Sequence, residues 1–95
     1  MDRRFSLHEM LERVVDRETF FAFVQALIED RRDSVAQERL HPSSPYGPEA
    51  NGWENTTIED FFEAALRRAE DVQDMPEAPS WRAFAEFLYC GKIYE

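Results

Sequence analysis

Thr56 to Val72 reads T-T-I-E-D-F-F-E-A-A-L-R-R-A-E-D-V, and this stretch decides the fold class. Ile58, Phe61, Phe62, Ala65, Leu66, Ala69 and Val72 recur at the spacing of one helical face. Acids and arginines fill the positions between them. Thr56 with Glu59, or Thr57 with Asp60, offers a hydroxyl and a carboxylate at the spacing that caps a helix start. Glu59 and Asp60 also place negative charge at the positive end of the helix dipole. Pro76 disfavours helical backbone at Met75, where the segment is expected to end.

The same reading extends in both directions. Downstream, Ser80 caps a helix that carries Trp81, Phe84, Ala85 and Leu88 on one face, with Gly91 as its expected C-cap. Upstream, His41 to Gly52 reads H-P-S-S-P-Y-G-P-E-A-N-G, and its three prolines and two glycines exclude regular structure. Before that loop, Asp16 caps a long helix expected to run to about Arg39. Phe20, Phe21, Phe23, Val24, Leu27 and Ile28 cover nearly its whole circumference, so it is expected at the centre of the core. Ser6-Leu7-His8-Glu9 forms a capping box for a short first helix with Leu7, Met10, Leu11, Val14 and Val15 on one face. No alternating strand pattern occurs. The expectation is an all-α protein: a small compact bundle of about four helices with one Pro/Gly-rich loop at 41–52, forming a single domain over 1–95.

Charge narrows the function classes. The 95 residues include twenty acids against eleven bases, a net charge of −9. A nucleic-acid binder needs a basic footprint that this chain lacks. An anionic membrane surface repels it, and no apolar run reaches spanning length. Acidity is concentrated in the middle: Glu54, Glu59, Asp60, Glu63, Glu70, Asp71, Asp74 and Glu77 stand against Arg67 and Arg68, a net −6. A basic protein partner is therefore expected at the exposed face of the third helix, through Glu59, Glu63, Glu70, Asp71 and Asp74. No apolar segment follows Met1-Asp2-Arg3-Arg4, so the cytoplasm is the expected compartment.

Catalytic chemistry finds little foothold. His8-Glu9 begins like the zinc-protease signature, but Glu12 stands where its second histidine belongs. The lone Cys90 excludes an internal disulfide and multi-cysteine metal sites, and in an aromatic-rich helix it reads as a packing residue. Glu59 with Glu63 and Glu70 with Asp74 share helix faces, but those faces point to solvent, where two carboxyls keep similar pKa values. No phosphate-binding glycine loop or nucleophile elbow is present. We expect no catalytic residue, no metal and no cofactor.

Two segments carry a resemblance. W-E-N-T-T-I-E-D-F-F-E-A-A-L-R-R-A-E-D (Trp53 to Asp71) and P-S-W-R-A-F-A-E-F-L-Y-C-G-K-I-Y-E (Pro79 to Glu95) contain W-E-N and K-I-Y-E motifs that helix periodicity does not demand. With D-R-E-T-F-F-A-F-V-Q-A-L-I-E-D, they make the chain similar, over about 16–95, to an uncharacterised family of small bacterial all-helical proteins. Members of that family often carry alanine where Gly91 stands. The resemblance implies the helical fold and transfers no functional residue. It directs attention to a corner formed by Trp53, Glu54, Asn55, Lys92 and Tyr94, where Lys92 is expected to pair with Glu54 and Asn55 to bond the crossing loop. That corner is either a structural latch or a small-ligand or enzymatic site. By size and charge the chain fits an immunity- or partner-type protein. A purely structural or self-associating module is the remaining alternative.

Overall fold

The computed structural model describes residues 6–72 and 77–94. Four α-helices appear in order: α1 (Leu7–Glu12), α2 (Arg17–Leu40), α3 (Ile58–Asp71) and α4 (Trp81–Ile93), with a 3-10 turn at Ala50–Gly52 before α3. The protein is an all-α small bundle.

Each helix begins where its cap dictates. Ser6 Oγ accepts from the Glu9 N–H while Glu9 accepts from the Ser6 N–H. Asp16 and Thr19 close a second reciprocal box at α2. At α3 Thr57, not Thr56, is the cap, accepting from Asp60 N–H at 3.0 Å. Ser80 does the same for Ala83 at α4. Each such side chain supplies a partner to an N–H that the helix leaves open.

Side-chain contacts fix the helix directions. Phe20 meets Trp81 and Phe84, Phe23 meets Tyr89, and Asp30 meets Lys92. Residue numbers rise together, so α2 and α4 lie side by side and parallel. α1 runs the opposite way: Arg82 reaches the Glu12 carbonyl, and His8 lies beside Tyr89. α3 starts at the end of α4 and packs on it through Phe61, Ala64 and Ala65. The assembly is thin, with Cα extents of 42 × 36 × 17 Å.

The core joins Leu11 of α1 and Val14 just after it to Phe23 and Leu27 of α2, Ala85 of α4 and Trp53. Three expectations need correction here. α2 is not buried all round: Phe23 and Leu27 are buried, but Phe21 and Ile28 are 56% and 41% exposed. A slab two helices thick gives α2 neighbours on only part of its circumference. Trp81, on the apolar face that α4 is expected to bury, is likewise not in the core; at the first position of α4 it meets Phe20 at a tilt and Phe21 and Phe84 edge-on at the surface. Gly91 does not cap α4, which continues to Ile93 with Tyr94 as its cap. Instead the Phe61 ring sits on Gly91 so closely that an added Cβ would lie 2.8 Å from it. Glycine is there for close approach of α3.

The Pro/Gly-rich segment is an ordered crossing. Glu38 accepts from both Ser43 N–H and Ala50 N–H, and fully buried Ser34 donates to the Ala50 carbonyl at 2.8 Å. Asn51 (φ 64°) and Gly52 (φ 79°) take left-handed backbone, turning the chain so that Glu49 pairs with Trp53. Asn51 tolerates this conformation, and its amide donates to the Asp30 carbonyl and to Asp33. The turn thereby delivers Trp53 into the core.

Candidate functional site

The motif residues converge as a corner. Trp53 is 4% exposed, and its indole N–H donates to Asp30 Oδ2 at 2.9 Å. Lys92 Nζ donates to the same oxygen at 2.7 Å. The Lys92 ammonium and the Arg31 guanidinium lie 5.4 and 5.3 Å from the Trp53 ring centre. Arg31 pairs with Glu49 at 3.0 Å and also donates to Ser34. Asn55 donates to the carbonyls of Gly91 and Tyr94, at 3.0 and 2.8 Å, satisfying C-terminal acceptors that α4 leaves open.

Lys92 does not pair with the Glu54 side chain. Glu54 meets it through the backbone, its N–H donating to the Lys92 carbonyl, while its own side chain is exposed. The ammonium instead points into the slab, where Asp30 is within reach. Asn55 likewise bonds the end of α4 rather than the crossing loop. Tyr94 sends its hydroxyl to Asp71, and the hydrogen bond to that carboxylate, with some loss of solvent, holds the phenol above its ordinary value of 10.0.

The chemistry of the corner is internal. Asp30 is occupied by two donors, both protons of the Asn55 amide are used, and Arg31 bridges Glu49 and Ser34. Among the described residues no buried side-chain nitrogen or oxygen lacks a partner. No group of three or more His, Cys, Asp or Glu is gathered for a metal among them either. His8 faces Glu12 on the exposed side of α1.

A different surface is left open. Ile58, Phe62 and Leu66, spaced four apart on α3, are 74%, 52% and 53% exposed. The buried face of α3 is rotated away from this strip, because Ala64 and Ala65 let α4 approach more closely than the large side chains would. The strip borders a shallow groove walled by Arg31, Trp53 and Phe61. Glu59, Glu63 and Glu70 lie along its outer edge by helical register, and all three are exposed. Asp71 sits on the other edge with Tyr94, apart from them. Asp74 lies outside the described residues.

Sequence reasoning missed Asp30, Arg31, Ser34, Glu38 and Glu49, which hold the corner and the crossing. A signal was available for two of them. Phe23, Leu27, Asp30 and Ser34 continue one stripe at four-, three- and four-residue steps, so the buried face of α2 turns polar where the crossing loop covers it.

Among the described residues no helix is long and apolar enough to cross a membrane. No curated protein and no solved structure matches the chain. One family model does, over residues 16–95, the span that contains α2, the crossing, α3, α4 and every residue of the corner. The chain therefore belongs to the family of unknown function DUF7660.

Proposed function

We propose that this chain is a non-catalytic, acidic protein-interaction domain of the cytoplasm. It docks a basic partner on α3, with the Trp53 corner serving as the latch that holds α3 in place. The observation that carries the reading is the strip Ile58, Phe62 and Leu66, more than half exposed on a helix that buries only Ala64 and Ala65. Exposed apolar side chains gathered on one face mark interaction surfaces. The flanking Glu59, Glu63 and Glu70 give the strip one sign of charge, which favours a helix with an apolar face and a basic flank. The latch reading is supported by the corner's polar groups having partners within the chain.

The test is capture from host cells with three baits: the wild-type chain, Phe62→Glu, and the double variant Glu63→Lys/Glu70→Lys. A bound protein that is lost with both variants and weakened by salt is the expected result. Binding indifferent to both variants removes the proposal.

A further inference from the structure

The α3 strip has a counterpart in the same chain. On α2, Phe21 and Ile28 are 56% and 41% exposed, and Val24 lies between them. Arg17 and Arg32 each stand four residues from these apolar positions and share their side of the helix. Both arginines are exposed, and the Arg17 guanidinium lies 6.0 Å from the Phe21 ring centre. No ion pair holds Arg17, Arg32, Glu59, Glu63 or Glu70 among the described residues. One helix thus offers an apolar strip edged with carboxylates, and another an apolar strip with a guanidinium group at each end, Glu18 and Glu29 lying to one side of it.

We propose that the basic element taken up by the docking surface is α2 of a second copy of this chain, a partner that is basic along that helix strip only and acidic as a whole. In that pair, α3 of each copy packs on α2 of the other. This inference rests on the docking role of the α3 strip and adds its occupant. Such an arrangement is isologous: the same two contacts form twice about a two-fold axis, and the pair is closed.

The area is adequate. Ile58, Phe62, Leu66, Phe21 and Ile28, with Trp81 and Phe84 of α4, which continue the α2 strip beside Phe21, together leave about 700 Å² of surface in water, taking ~150–250 Å² for a whole aromatic side chain. Two copies facing each other would cover about 1,400 Å², inside the ~1,200–2,000 Å² of a stable specific interface. The local pairing of acids with arginines opposes the repulsion between two chains of net charge −9.

The experiment is sedimentation equilibrium over a range from low micromolar to several hundred micromolar, with circular dichroism to verify that each variant folds. The wild-type chain should reach twice its 11.2 kDa mass as concentration rises. Glu63→Arg/Glu70→Arg places arginine on both strips, and Arg17→Glu/Arg32→Glu places glutamate on both. Each variant alone should stay monomeric. An equimolar mixture should form the pair again, because both contacts become complementary. A wild-type chain that is monomeric throughout overturns the second copy as occupant, while capture of another protein lost with Phe62→Glu would leave the docking role intact. A dimer that ignores Phe62→Glu overturns both. A dimer lost with Phe62→Glu but indifferent to Arg17→Glu/Arg32→Glu overturns α2 as the counterpart.

Discussion

Replacing Lys92 by methionine keeps the aliphatic stem that packs near Trp53 and removes the ammonium from Asp30. The Lys92 side chain is 9% exposed and that of Asp30 22%, so the pair lies between a surface bridge and a fully buried one. A surface pair is worth ~0–1 kcal/mol, and breaking a buried one costs ~3–5 kcal/mol. Asp30 keeps the Trp53 N–H and some water, which places Lys92→Met at about 2 kcal/mol. Asp30→Asn leaves Lys92 facing an amide oxygen and should cost about the same. In the double variant neither charge is stranded, so its loss should stay near ~2 kcal/mol rather than reach the sum, a coupling of about 2 kcal/mol. Urea unfolding followed at 222 nm measures all four proteins. With a slope of ~1.5 kcal/mol/M, each single variant should move the midpoint down by about 1.3 M. In a domain of this size the melting temperature should fall by ~8–16 °C. If the single losses add to within ~0.5 kcal/mol in the double variant, the pair does not act as a unit and the latch account is wrong.

Asn55→Ala should destabilise by ~1–3 kcal/mol, because two carbonyls at the end of α4 lose their donor. Asn55→Asp should be worse in thermal melts, since it turns carboxylate oxygens toward those carbonyls; an aspartate variant as stable as wild type contradicts the assignment. Gly91→Val drives two methyl groups against the Phe61 ring and should cost ~1–3 kcal/mol or more, whereas an unchanged melting temperature would mean that α3 shifts freely. Phe62→Glu should cost the isolated chain about 1 kcal/mol, since half of its ring lies in water and half packs edge-on against Phe61; a loss of ~3 kcal/mol or more would place it in the core. The Ser43 hydroxyl, then the Ser43 and Ala50 N–H groups, hold the Glu38 carboxyl below its ordinary value of 4.5. A lowered folded value stabilises above the unfolded one, so this contribution is intact at neutral pH. It should fade as pH drops below 4.5 through the folded value, releasing the crossing loop. Glu38→Gln should flatten that part of the pH–stability profile, and Ala50 and Ser43 amide shifts report the release.

Helix positions were legible because their causes are local. Ser6, Asp16, Thr57 and Ser80 each cap a helix with their own side chain, and no distant residue has to be known to see it. Burial was less legible because it depends on which neighbours exist. The periodicity of α3 gathers Ile58, Phe62 and Leu66 with Phe61 and Ala65, yet α4 covers only the side with the alanines. Phe21, Ile28 and Trp81 failed for the same reason. An apolar stripe shows that a helix can bury a face, and the packing partner decides how much of it is covered. At the corner, the W-E-N and K-I-Y-E motifs pointed to the right place but not to the right bonds. Lys92 finds Asp30, sixty-two positions away, through the parallel packing of α2 and α4.

Lys92 is the single lysine of the sequence, and its ammonium faces inward. Every other fixed cationic side chain is an arginine. The folded surface therefore presents guanidinium groups and no lysine amine. Acylating reagents and enzymes that conjugate through lysine meet a closed door until the end of α4 lifts from α2. Lysine modification of this protein thus registers the opening of that joint rather than the chemistry of its exterior.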